Sequence, residues 1–164
     1  MSKPLVSIVM GSESDREVMS KAAGILEQFD VDSEIVIASA HRSPRFTEEY
    51  AHTAIERGVD VIIAGAGMAA HLAGVIAANT ILPVIGVPLD ASSLGGIDSL
   101  LSMAQMPGGV PVATMGIGSA GAKNAAFFAL RVLSLKRPDL KRQLDKYVEM
   151  MEEEIRSKST LKTK

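Results

Sequence analysis

The chain reads as an α/β protein of three layers: a doubly wound, parallel five-stranded sheet, flavodoxin-like in order, with an extra C-terminal helix. Three observations predict this. Short runs rich in Val and Ile alternate with helix-period patterns along the chain. Three of those runs stay apolar without clean alternation, as strands covered on both faces do. The 164 residues suit one domain spanning 1–164, and a hydrophobic fraction of 47% is enough for a core without staples.

The strand runs are Leu5–Met10, then 34–38, 60–64, 84–87 and 112–115. Residues 14–29 form the first helix pattern, with Val18, Ala22, Ile25, Leu26 and Phe29 on one face and a capping box over Ser14-Asp15-Arg16-Glu17. Residues 44–57 open with Ser43 as cap and Pro44 at the first helical position, and close at Gly58. Further helices are expected over 69–79, 97–104 and 119–135. The last helix, 138–156, carries a narrow seam of Leu140, Leu144, Tyr147 or Val148, Met151 and Ile155 with charges elsewhere. Such a seam suits packing on its own sheet or, over about 137–157, docking on a neighbouring subunit; the second reading is preferred here. The charge-poor, small-residue middle of the chain also favours assembly.

Composition excludes several classes. No cysteine occurs, so a disulfide scaffold, a catalytic thiol, an iron–sulfur cluster and a thiolate zinc site are out. A net charge of −2, no Trp, 2 Tyr and 4 Phe argue against a nucleic-acid partner. Three His without a ligand-like spacing carry no metal signal. The 29 residues 61–89 hold no formal charge, but Gly65, Gly67, His71, Gly74, Asn79, Pro83 and Pro88 interrupt them. A strand–loop–helix–strand unit explains those breaks, and a membrane span does not. The opening Met1-Ser2-Lys3-Pro4 leads into a strand without a signal-peptide layout. The expectation is a soluble, cytoplasmic protein with no membrane partner.

In open α/β sheets, ligands sit at the carboxyl ends of the strands. After the first strand come Gly11, Ser12, Glu13, Ser14 and Asp15. Two hydroxyls and the free N–H groups of a helix start suit a phosphate, and Asp15 suits ribose hydroxyls. Helix capping alone would explain Ser14 and Asp15 but not Ser12. After the second strand come Ser39, Ala40, His41 and Arg42. An imidazole ordinarily titrates at about 6.5, so His41 can give and take a proton near neutrality. Arg42 suits a phosphate or carboxylate. After the third strand, Gly65-Ala66-Gly67-Met68-Ala69-Ala70-His71-Leu72 imitates a dinucleotide fingerprint, with Asp90 further on. It follows the wrong strand for that, and too little chain remains for a substrate domain. Such a small-residue loop suits close backbone approach to a flat ring, with N–H groups free for a carboxylate. His71 fits either a structural role or a site role, while His52 reads as surface. The stretch 88–96 reads as a lid loop, and 105–112 as a tight turn into the fifth strand. Physical reading alone thus predicts a cofactor-free enzyme that binds a phosphorylated ribosyl compound and moves a proton with His41.

Five motifs in order carry a resemblance: Gly11-Ser12-x-Ser14-Asp15, Ser39-Ala40-His41-Arg42-x-Pro44, Ala64-Gly65-Ala66-Gly67-x-Ala69-Ala70-His71-Leu72, Pro83-Val84-Ile85-Gly86-Val87-Pro88 and Gln105-Met106-Pro107-Gly108-Gly109. Over about residues 4–135 the chain resembles the AIR carboxylase family, in its class I mutase form. The resemblance implies transfer of a carboxyl group from the exocyclic nitrogen of an aminoimidazole ribonucleotide to ring carbon 4, through carbon dioxide. It implies no cofactor and no metal, a homo-octamer with sites between subunits, and His41 as general acid and base. Gly11, Ser12, Ser14, Asp15, Ser39, Ala40, Arg42, Gly67, Ala70, His71 and Leu72 are the implied substrate contacts. The family usually has glycine where Met68 stands and proline where Ala73 stands. A class II carboxylase acting with free carbon dioxide usually carries lysine after the histidine, and here that residue is Arg42. That carboxylase and a non-catalytic nucleotide-binding module are the competing readings.

Overall fold

A computed structural model describes residues 5–159. Met1–4, expected to lead into the first strand, lie outside the described residues. The chain divides into two compact units, Met1–Ala129 and Leu130–Lys164.

The first unit holds the sheet. Its strands are β1 (Leu5–Met10), β2 (Asp32–Ile37), β3 (Val59–Gly67), β4 (Val84–Leu89) and β5 (Ala113–Thr114), all parallel, in the order β2-β1-β3-β4-β5. This is the flavodoxin-like order read from the β-α alternation. The register pairs Ile8 with Ile35 on one side and Ile63 on the other. β3 and β4 are almost wholly buried, which is why their sequences run apolar, whereas β2 at the edge is only half-buried.

The helices are α1 (Arg16–Gln28), α2 (Pro44–Thr53), α3 (Leu72–Ala78), α4 (Ile97–Ala104), α5 (Gly118–Ser134) and α6 (Pro138–Lys158). One core layer joins Tyr50, Ala51 and Ala54 from the α2 region, Leu72, Ala73 and Ile76 of α3 and Met103 of α4 to Val9, Ile62 and Ala64 of the sheet. On the opposite face, the flexible Met19 side chain of α1 fills the space that a Cβ on Gly65 would enter. Phe29 and Phe127 meet edge-to-face with centroids 6.0 Å apart. A polar chain crosses the first layer. The Tyr50 hydroxyl bonds both Ser7 of β1 and Glu34 of β2, and the Arg57 guanidinium lies 4.1 Å from the Tyr50 ring centroid.

Several expected boundaries move. β2 begins two residues earlier and stops at Ile37, and β3 runs on to Gly67, because it pairs with β1 as far as Gly65 and with β4 as far as Gly67. β5 shrinks to the two residues that pair with Ile85 and Gly86. The capping box expected from Ser14 does not form. A short 3-10 turn, Glu13–Asp15, precedes α1, and the Asp15 carboxylate accepts the Ser12 N–H at 3.1 Å. α2 stops at Thr53; the following turn reaches Gly58, whose φ is 82°. α3 begins at Leu72 rather than Ala69, because Met68 and Ala70 adopt φ values of 58° and 41° that no helix accommodates.

Within the second unit, α6 follows an N-terminal turn with Pro138 at its start. Ion pairs Lys141–Asp145, Arg156–Glu152 and Lys158–Glu154 lie along its exposed face at i,i+4 spacing. Leu140 and Leu144 are buried, while Met151 and Ile155 of the same seam are exposed. No helix among the described residues is long and apolar enough to cross a membrane.

Candidate active site

β1, β2, β3 and β4 end along one edge of the sheet, and the loops leaving them enclose a cleft of about 520 Å³. β1 is where the chain's winding reverses, with β2 on one side and β3 on the other, so the cleft lies at the switch point of the sheet. His41 and the eleven expected substrate contacts all line it, whereas Glu13 and Asp90 do not. Gly11, Ser12, Ser14 and Asp15 come from the first loop, Ser39, Ala40, His41 and Arg42 from the second, and Gly67, Ala70, His71 and Leu72 from the third.

In the first loop, Gly11 does not take a left-handed turn. A side chain there would meet only Asp15 Oδ2, at 3.8 Å. Glycine therefore keeps the cleft floor open instead of bending the chain. Burial pushes the half-buried Asp15 carboxyl up from its ordinary value. The Ser14 hydroxyl, the Ser12 N–H and the nearby Arg42 charge only partly offset that.

The second loop is braced by its own serines. Ser43 Oγ accepts the Ser39 N–H at 2.9 Å and donates to the Ser39 carbonyl at 3.1 Å. Ser43 does stand at the N-cap of α2, but its hydroxyl is spent on the loop instead of on the helix N–H groups. Ser39 Oγ in turn accepts the Arg42 N–H at 3.2 Å. Arg42 Nη2 reaches across to the Gly11 carbonyl at 2.8 Å and joins the first two loops.

The third loop supplies what the sequence left open. His71 Nδ1 lies 2.7 Å from His41 Nε2, with the rings T-shaped at 4.8 Å between centroids. One of those nitrogens carries the shared proton and the other accepts it, so the pair cannot hold the contact with both rings fully protonated. The two histidines are 30 residues apart in the chain and separated in the sheet by β1. Their common position just past a strand end was the only signal of the pairing.

The same loop is held in a strained shape. Left-handed φ at a residue with a side chain costs about 1–2 kcal/mol, and both Met68 and Ala70 have it. Gly67 allows the close approach of the fourth loop, since a Cβ on it would lie 2.5 Å from the Ala91 Cβ. Ala91 also lines the cleft and is a contact that sequence reasoning missed, although the 88–96 stretch was noted as a loop. Among the described residues no group of three or more His, Cys, Asp or Glu could hold a metal.

A largely apolar cleft with a few converging polar groups and paired imidazoles, at the switch point of a doubly wound sheet, belongs to an enzyme acting on a small molecule. Residues 5–154 match the family described as AIR carboxylase, and this chain is a member of it. It is 60% identical to an N5-carboxyaminoimidazole ribonucleotide mutase of Pyrococcus abyssi, over 90% of this chain and 84% of that protein. It is 59% identical to the mutase of the same name from Bacillus subtilis, over 87% of this chain and 88% of that one. A crystal structure of Treponema denticola PurE superposes with a TM-score of 0.85 at 29% identity, covering 98% of this chain and all of that chain.

Proposed function

We propose that this chain converts N5-carboxyaminoimidazole ribonucleotide to 4-carboxy-5-aminoimidazole ribonucleotide, the mutase step of purine biosynthesis, with His41 as general acid and base. The reaction itself follows from family membership and from mutases 60% and 59% identical to it. The observation that carries the acid–base role is the His41–His71 contact inside a cleft whose other rim holds Asp15 and Arg42.

The steps balance without an added reagent. The bond from the exocyclic nitrogen to the carboxylate carbon breaks, carbon dioxide leaves, and the nitrogen takes its proton from protonated His41. Ring carbon 4, made electron-rich by the amine, attacks the carbon dioxide and forms the new carbon–carbon bond. Neutral His41 then removes the proton from carbon 4, aromaticity returns, and the imidazole ends as it began. His71 holds the His41 ring in one orientation through the shared hydrogen bond. The loop of 65–71 holds carbon dioxide over the ring with its backbone N–H groups. Ser12, Ser14, Asp15 and Arg42 take the phosphate and ribose. The working form is a cytoplasmic homo-octamer, with α6 docked on a neighbouring subunit. The exposed lower seam of that helix supports this.

The test is conversion of N5-carboxyaminoimidazole ribonucleotide, followed by ultraviolet absorbance in carbonate-depleted buffer. Rapid conversion indifferent to added bicarbonate is expected. Absent conversion, with carboxylation of aminoimidazole ribonucleotide once bicarbonate is added, would overturn it in favour of the carboxylase. His41→Asn is expected to abolish turnover while nucleotide binding survives. Loss of binding and folding together would make His41 structural.

A further inference from the structure

Met68 is an anomaly of the site loop. It is the longest side chain in the 65–71 segment, and it is 59% exposed. Its backbone is left-handed, with φ at 58°, a conformation that favours glycine. It nevertheless lines the cleft, beside the His71 loop and next to Gly67, whose close contact with Ala91 fixes the neighbouring loop. Strain at a side chain left mostly exposed on the cleft wall points to a role with substrate bound.

We propose that Met68 is a cover for the carbon dioxide intermediate: its thioether side chain folds over the loop of 65–71 when substrate is bound and blocks the intermediate's escape to water. This rests on the mutase reading above. The chemistry suits the residue. Carbon dioxide is small, uncharged and apolar, so hydrogen bonds hold it weakly and a steric barrier is the effective means of retention. A methionine has three side-chain torsions and a polarisable sulfur, so it can lie flat on an apolar guest and swing clear to release product. A residue with a stiff, branched side chain would strain further at a left-handed φ.

The test uses label exchange. The full-length protein converts N5-carboxyaminoimidazole ribonucleotide in buffer containing carbon-13 bicarbonate and carbonic anhydrase, and product is weighed by mass spectrometry. Wild-type product is expected to keep the substrate's own carbon. Met68→Gly is expected to raise the labelled fraction on the order of tenfold, the factor that losing about two methylenes of apolar cover corresponds to. Met68→Leu, which keeps the bulk, should stay near wild type. Folding is not the obstacle, because glycine accepts this φ; the urea midpoint of Met68→Gly should be no lower than wild type. Equal labelling in wild type and Met68→Gly overturns the cover while leaving the mutase reading intact. So does equal labelling in the Gly and Leu variants, or a Met68→Gly protein changed in sedimentation but not in labelling, which would assign Met68 to a subunit contact. A wild-type protein that makes no product, or only fully labelled product, takes both readings down.

Discussion

Replacing Tyr50 by Phe deletes one oxygen from the middle of a polar chain that joins β1, β2 and α2. Tyr50 is only 8% exposed, and Ser7 is fully buried. The phenol has one proton, and it goes to the Glu34 carboxylate; the Ser7 hydroxyl is therefore the donor in the other bond. Removing the phenol oxygen loses a bond to a charged acceptor, about 1.5–3 kcal/mol, and leaves the Ser7 hydroxyl buried without an acceptor, about 1–3 kcal/mol. Glu34 is partly exposed and 3.8 Å from Arg57, so water and that guanidinium recover some of the loss. The expected total is about 2–4 kcal/mol, read as a lower urea midpoint at unchanged m and fixed protein concentration. Adding Ser7→Ala removes the stranded hydroxyl, so the double variant should be more stable than the sum of the singles by about 1–2 kcal/mol. Alkaline pH supplies a second readout. Burial, reinforced by the bond to Glu34, pushes the Tyr50 hydroxyl up to about 12. The unfolded chain then releases this proton near its ordinary value of about 10 while the native state still holds it, so stability falls across that window, by up to about 3 kcal/mol. The Phe variant should lack that part of the fall. A Tyr50→Phe loss below about 0.5 kcal/mol, or strict additivity with Ser7→Ala, would refute the buried-network account.

Two further changes probe the cleft. Gly67→Ala drives a methyl into the Ala91 Cβ at 2.5 Å and toward the Leu89 carbonyl at 3.2 Å, so it should cost about 1–3 kcal/mol in a thermal melt and lower kcat/KM by displacing the fourth loop. An alanine variant with wild-type melting and turnover would show that the two loops yield freely. Asp15→Asn keeps an acceptor for the Ser12 N–H but removes a carboxyl whose ionisation burial opposes. Because the folded pKa lies above the unfolded one, wild-type stability falls as pH rises through that interval, and the Asn variant should lose this fall while its KM rises. Destabilisation at neutral pH with an unchanged KM would contradict both halves.

The sheet order was legible because β-α alternation and continuous apolar runs depend on local composition and on burial from both sides. α4 was read residue for residue. The start of α3 was not, since Ala69, Ala70 and His71 all tolerate a helix; the left-handed backbone at Met68 and Ala70 belongs to the folded loop and leaves no mark on residue type. β5 was overextended because Val112 and Met115 look like strand residues, although β4 offers pairing only at Ile85 and Gly86. The cleft itself was anticipated loop by loop, because a doubly wound sheet gathers its strand ends in one place. What escaped was contact between those loops: the His41–His71 bond, the approach of Ala91 to Gly67, and the turn of Ser43 back onto Ser39. Each joins residues through space that propensity treats separately.

The reach of Arg42 to the Gly11 carbonyl bears on the thermodynamics of the anion capture proposed for that side chain. An unrestrained arginine has about 2 kcal/mol of rotamer freedom to surrender when it grips an anion. Here the Nε and Nη2 edge is engaged with Ser39 and Gly11 as the chain folds, and the Nη1 end of the fork remains for an incoming group. Calorimetry on Arg42→Lys should therefore register the change chiefly as a more unfavourable entropy of nucleotide binding, because a flexible ammonium must be ordered anew at each encounter.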